Sequence, residues 1–114
     1  MNLEPSRPLS EIKADMFKAL SHPARVRVLE VLTTGEFAVG DMQPLVGIEA
    51  SHLSQQLAVL RKAGLVVTRK EGSSVIYTLR DPLVGELLDV ARRLLLVTLA
   101  STRDLLDNLA ESGR

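Results

Sequence analysis

The sequence predicts a mainly helical fold with one small β-hairpin, in which long N- and C-terminal helices form a dimer interface. Three observations carry this. The stretch from Ala50 to Lys62 has apolar residues at helical spacing and stops abruptly at Ala63-Gly64-Leu65. Two runs rich in Val, Ile, Thr and Tyr follow, joined by Glu71-Gly72-Ser73-Ser74. From Leu83 to Leu109 one long helical pattern is apolar on more than one side. A chain of 114 residues fits one domain, 1–114, and with 3% aromatic residues and no Trp its core is built from Leu, Val and Ala.

Taken in order, the elements begin after a flexible tail at residues 1–8. Ile12, Met16, Ala19 and Leu20 recur at helical spacing behind a Ser10 cap, which gives a first helix ending near Leu20. Ser21-His22-Pro23 restarts the chain, and Pro23 suits the first turn of a second helix because its missing amide hydrogen costs nothing there. Val26, Leu29 and Leu32 form the packed stripe of that helix up to Gly35. A short third helix is expected behind an Asp41 cap, with Pro44 in its first turn and Gly47 as its stop. The fourth helix ends at Gly64, a natural left-handed stop. Leu65 to Lys70 and Val75 to Arg80 are the strands of the hairpin, Asp81-Pro82 punctuates, and residues 83–110 close the chain as a dimerisation helix.

The fourth helix is the chemically informative one. At about 100° per residue, Leu53, Leu57, Leu60 and Gly64 share one stripe, while Ser51, Gln55 and Lys62 lie opposite, flanked by His52 and Ser54, with Gln56 nearer the boundary. No charged residue occurs between Ala50 and Val59, although Glu and Lys are the usual means of keeping a surface helix soluble. Gln, Ser and His instead carry donors and acceptors suited to base edges, and Gln pairs bidentately with adenine. Three short helices, this fourth, a hairpin and a long closing helix amount to a winged helix-turn-helix, with Glu71 to Ser74 as the wing tip.

Two separated motifs then carry a family resemblance: Ala19-Leu20-Ser21-His22-Pro23-Ala24-Arg25-Val26-Arg27-Val28-Leu29, and Leu53-Ser54-Gln55-Gln56-Leu57-Ala58-Val59-Leu60-Arg61-Lys62-Ala63-Gly64-Leu65-Val66. Together with the hairpin, over roughly Ile12 to Leu79, they resemble the ArsR/SmtB family of bacterial transcriptional regulators. The resemblance implies a homodimer that binds an inverted repeat in double-stranded DNA, with the terminal and first helices in the dimer contact. A small domain also buries only one side of Leu83 to Leu109, which leaves an apolar patch for a partner. Ile12, Met16, Leu87, Leu88, Ala91, Leu94, Leu95 and Leu99 are the candidates there. On the DNA face, Ser51, His52 and Gln55 are expected in the groove and Gln56 at a flanking base or phosphate. Ser54, Lys62, Arg69, Lys70 and Ser73 are expected to position the backbone without reading sequence.

The family's usual metal inducer is where the chain departs from pattern. Ala38 and Gly40, within Glu36-Phe37-Ala38-Val39-Gly40-Asp41, stand where the resemblance would put thiolates, and Leu83 to Arg114 contains no histidine. Neither familiar metal site forms. His22 is expected to cap or hydrogen-bond at the start of the second helix, with a weak nickel or zinc site beside Asp15 or Glu11 as the alternative use. A co-sensor protein would then supply the missing signal.

Charge sharpens the nucleic-acid reading. The formal net charge is zero, which argues against a general polyanion coat. Yet residues 49–80 hold five bases against two acids, so the basic excess sits in the helix-hairpin unit. Without cysteine there are no disulfides and no cysteine nucleophiles. Ser51 and His52 point about 100° apart on a helix, which is no nucleophile-base geometry, and no Gly-rich phosphate loop exists, so the chain is expected not to be an enzyme. The start of the chain has no basic-then-apolar leader, and the most apolar run falls well short of the roughly 20 residues that span a bilayer, so no membrane contact and a cytoplasmic location are expected. The rival reading is a protein-interaction module that keeps the winged fold and depends on a partner or co-sensor for any DNA binding.

Overall fold

The computed structural model describes Glu4 and residues 6–112; Met1 to Leu3 and Pro5 of the expected tail lie outside the described residues, as do Gly113 and Arg114. Helix α1 runs Leu9–Ala19, two residues earlier than a Ser10 cap would allow. Pro8 is the cap residue instead: its carbonyl accepts the first amides, from Glu11 at 3.0 Å and Ile12 at 3.3 Å. Because a residue preceding proline is biased away from helical backbone, Arg7 stays outside the helix. Its guanidinium donates back to Asp15 at 2.8 Å, which ties down this part of the stretch expected to be loose.

Helix α2 covers Pro23–Leu32, with Pro23 in the first turn and His22 as its cap, Nδ1 accepting from the Ala24 amide at 3.1 Å. It stops before Gly35 because the hydroxyls of Thr33 and Thr34 turn back onto the carbonyls of Glu30 and Val31. Strand β1, Phe37–Ala38, was not expected from the sequence; it pairs antiparallel with a later strand through Phe37↔Tyr77 and Ala38↔Ile76. That pairing holds the backbone extended through Ala38, so helix α3 starts at Val39 and ends at Val46. Asp41 therefore lies inside the first turn, where its charge complements the helix dipole, and does not cap. Gly47, at φ +80°, ends α3 in the left-handed region.

Helix α4 spans Ala50–Lys62. Strands β2, Val66–Glu71, and β3, Ser74–Leu79, pair over their full length from Val66↔Leu79 to Glu71↔Ser74, so the sheet order is β1-β3-β2. The turn between them is only Gly72-Ser73. Gly72 has φ +63° and Ser73 does not have positive φ, the sign pattern of a type II′ turn, whose twist matches that of the strands. Helix α5, Leu83–Ser112, begins where the Asp81 carboxylate accepts from the Leu83 amide at 2.9 Å. Its first turns cross α2 closely: a Cβ on Gly85 would stand 3.3 Å from Cγ2 of Thr33.

The core lies where α2, α3 and α4 meet the hairpin and the start of α5. Val28, Leu29, Met42, Leu53, Leu57 and Leu60 are fully buried, with Leu32, Val46, Leu65, Val66 and Val84 nearly so. Beyond Val84 and Leu88, α5 leaves this core; every residue from Asp89 to Glu111 is exposed, and the molecule is drawn out to 67 × 41 × 23 Å.

Two arginines of α2 lock the neighbouring helix ends. Arg25 donates through Nε to the Ala19 carbonyl at 2.6 Å and through Nη2 to that of Lys18, at the end of α1. Arg27 donates to the carbonyls of Val46 and Leu45, both at 3.1 Å, at the end of α3. Carbonyls without helical partners thereby gain charged donors.

Leu57→Ala, which deletes a fully buried side chain of α4, is expected to lower stability by about 2 to 5 kcal/mol in urea denaturation. The Asp15 carboxyl is held below its ordinary value, chiefly by its hydrogen bond from Arg7. A carboxyl lowered in the folded chain stabilises it above the ordinary carboxylate range and loses that contribution as pH falls through the lowered value. Arg7→Gln should therefore lower stability modestly at neutral pH, flatten the acid limb of a pH-stability profile, and leave stability below the carboxylate range unchanged.

Candidate nucleic-acid interface

Helix α4 separates its two faces cleanly. Leu53, Leu57 and Leu60 have no exposure, whereas Ser51, Ser54, Gln55, Ala58 and Lys62 are open to solvent. Ser51, Gln55 and Lys62 return to the same side at about 100° per residue, forming a ridge of hydroxyl, amide and ammonium groups backed by close-packed leucine. His52 is half-buried at the edge of this ridge, its ring edge-on to that of His22 with centroids 5.9 Å apart. The contact ties the start of α4 to the cap of α2.

Gln56 is corrected by the structure. It is only 8% exposed, and its Oε1 accepts from Nη1 of Arg25 at 3.1 Å, so its side chain faces inward and not toward a base or phosphate. Arg25, which the sequence reading left without a role, is thus the residue that joins the end of α1, the start of α2 and the middle of α4. The signal lay in a cation among the apolar residues of Ala24-Arg25-Val26, but its partner stands 31 residues away.

On the hairpin, Lys70 and Ser73 are exposed near the turn. Arg69 is exposed but engaged: its guanidinium donates to Glu36 and, at 3.1 Å, to Glu71. Those carboxylates, Glu36 first, raise the pKa of the guanidinium and offset the charge it was expected to offer to phosphate. Arg61 at the end of α4 and Arg80 after β3 are exposed cations that the sequence reading passed over; together they flank a shallow cleft across Val67 and Thr68.

The nickel or zinc site envisaged at His22 does not assemble. Nδ1 of His22 is occupied as the helix cap, and Asp15 is bound by Arg7. Among the described residues no group of three or more His, Asp or Glu side chains stands in ligating reach of one ion.

The surface expected to meet a partner is on α1 and α5. Ala91, Leu94, Leu95 and Leu99 are exposed, while Ile12 and Leu87 are half-buried, and Met16 and Leu88 are packed partly against the chain's own core. Phe17, 55% exposed, and Val97, 64% exposed, widen the apolar surface beyond those candidates, and Leu105, Leu106 and Leu109, apolar positions of the same helical pattern, are exposed toward the end of α5.

Residues 20–69, which hold α2, α3, α4 and most of β2, match a model described as a helix-turn-helix domain. The chain is 45% identical over 109 residues to the HTH-type transcriptional regulator Rv0081 of Mycobacterium tuberculosis, covering 95% of this chain and 96% of that protein. It superposes on the crystal structure of Rv0081 with a TM-score of 0.78 at 47% identity, over 85% of this chain and 98% of that one. A biofilm growth-associated repressor of Xylella fastidiosa is 40% identical over 76 residues, or 67% of each chain. The homodimeric winged helix-turn-helix domain of Mb0332 from Mycobacterium bovis, described as a possible ArsR-family regulator, aligns with a TM-score of 0.71 at 28% identity, over 82% of this chain and 89% of that one. These relatives are regulators of transcription and not enzymes. With α4 presented beside a tight wing and both sequence motifs in place, the chain belongs to the ArsR/SmtB family of DNA-binding winged helix-turn-helix transcriptional regulators.

Proposed function

We propose that the chain acts as a homodimer on an inverted-repeat operator, with α4 of each copy in the major groove and each hairpin against the flanking backbone. The observation that carries this reading is the ridge of Ser51, Gln55 and Lys62, exposed on one side of a helix whose other side is fully buried. Gln55 and Ser51 read base edges, with His52 at their margin; Ser54, Lys62, Lys70 and Ser73 hold phosphates. Arg69 contributes only when Glu36 and Glu71 release it.

The two copies meet through α1 and α5. Leu94, Leu95, Leu96 and Val97 are consecutive and all more than half exposed, so they point in successive directions around the helix. Such a belt is covered only by a helix bundle, and a two-fold pair supplies one from α1 and α5 of both copies. The chain then works as a single winged unit whose residues 83–110 pair the copies and set the reading helices about one DNA turn, roughly 34 to 36 Å, apart. Among the described residues no helix is long and apolar enough to cross a membrane, which accords with work on chromosomal DNA in the cytoplasm. With neither familiar metal site in its residues, the regulator answers to another kind of signal, either a ligand of its own or a co-sensor protein.

A titration of DNA from upstream of its own gene against random DNA, at two salt concentrations, tests the reading directly; equal affinities for both would end it. Gln55→Ala should weaken operator binding by about 1 to 3 kcal/mol and leave random DNA nearly unaffected. Lys70→Ala should weaken both and lower the salt slope by about 0.9. The double variant Glu36→Gln/Glu71→Gln should free Arg69 from both carboxylates, tightening both and steepening the salt dependence by a similar amount. Leu95→Glu should yield monomers in sedimentation at unchanged helix content, and a Leu95→Glu chain that remains dimeric would refute the α5 contact.

A further inference from the structure

A cleft of about 640 Å³ opens between the C-terminal half of α1, the start of α2 and the end of α4. Its charged lining is Arg7, Asp15, Lys18, Arg25 and Lys62, four cations against one carboxylate in a chain whose formal charge is zero. Asp15 is already taken by Arg7 at 2.8 Å. Arg25 spends its donors on two backbone carbonyls and the Gln56 amide oxygen, so no carboxylate neutralises it. Lys18 and Lys62 are exposed, and among the described residues neither makes an ion pair.

The rest of the lining is apolar. Ala19 and Ala63 form a floor with Val59, which is 40% exposed although it lies on α4 within one turn of the buried Leu60. A DNA phosphate would use the cations and leave Val59 wet. An organic anion satisfies both parts, its head against the two lysines and Arg25 and its arm over Val59, within the usual size range of small-molecule sites.

Position couples this cleft to the reading helix. Lys62 lies seven residues beyond Gln55 on the same side of α4, about 10 Å along the axis. Arg25 reaches from the cleft to Gln56, next to Gln55. An anion seated here removes positive potential beside the DNA face and competes with Gln56 for Arg25.

We propose that the α1-α2-α4 cleft binds a small organic anion, a carboxylate with a short apolar arm, and that its occupancy weakens DNA binding. The coupling rests on the DNA-binding reading above, whereas ligand binding itself is measured without DNA.

The test is a titration of the full ¹⁵N-labelled chain with hexanoate, and with hexanamide as its neutral counterpart, followed by amide chemical shifts. Hexanoate should produce saturable shifts at Lys18, Arg25, Val59 and Lys62, hexanamide should not, and the double variant Lys18→Gln/Lys62→Gln should raise the hexanoate Kd about tenfold or more at an unchanged melting temperature. That factor is the loss of about 1.4 kcal/mol. Hexanoate should also lower the wild-type affinity for upstream DNA and have no further effect on the double variant. Absence of saturable shifts, equal binding of hexanamide, shifts confined to the leucines of α5, or wild-type affinity in the double variant would overturn the site. If hexanoate fails to bind while the double variant loses salt slope by about 1.8 on DNA, the cleft seats backbone phosphates and the proposal is wrong. Saturable hexanoate binding that leaves DNA affinity unchanged would overturn the coupling alone.

Discussion

The arrangement of this molecule depends on two guanidinium groups of one short helix. Arg25 and Arg27 are two positions apart on α2 and therefore point to different sides, where each meets the carbonyl end of a different neighbour, α1 for Arg25 and α3 for Arg27. Helix C-termini carry partial negative charge and unsatisfied acceptors, so a cation with several donors in a fixed fork is well suited to hold them. Along the same helix Val28 and Leu29 are completely buried. α2 is thus a spindle: its apolar residues set the core, and its two arginines hold the ends of α1 and α3.

Arg25 carries this constraint as far as the DNA face. Through Gln56 it joins the end of the helix proposed to meet a second copy to the middle of the helix proposed to read bases. One side chain thus links the end of α1 to the middle of α4 above the leucine layer. The His22 and His52 rings add a second contact between α2 and α4 near the other end of that face.

What was legible in the sequence followed the length and regularity of the pattern. Leu53, Leu57 and Leu60 gave α4 its buried side, and Asp81-Pro82 gave the start of α5, because these signals are local and repeated. β1 was invisible since two residues hold no period, and its existence is decided by Tyr77 and Ile76, some 38 to 40 residues away by its register. The misplaced start of α3 has the same origin, for pairing of Ala38 with β3 overrides the capping preference of Asp41. At the site, exposure of Ser51 and Gln55 was readable from angle alone. Gln56 and Arg69 were not, because each is claimed by a partner more than 30 residues distant in sequence: Arg25 for the one, Glu36 for the other.

Gly85 has the farthest-reaching effect for its size. With Thr33 only 3.3 Å from where its first side-chain carbon would sit, α5 lies so close to the end of α2 that a methyl group there would push the threonine aside by a few tenths of an ångström. A helix of 30 residues is a rod of about 45 Å. Pivoted at such a fulcrum, a lean of about 5° sweeps the far tip through roughly 4 Å, close to the width of a side chain. A hydrogen atom in place of a methyl group there lets that rod leave the body at its present angle, and in the dimer proposed above the same contact would bear on how far apart the two reading helices stand.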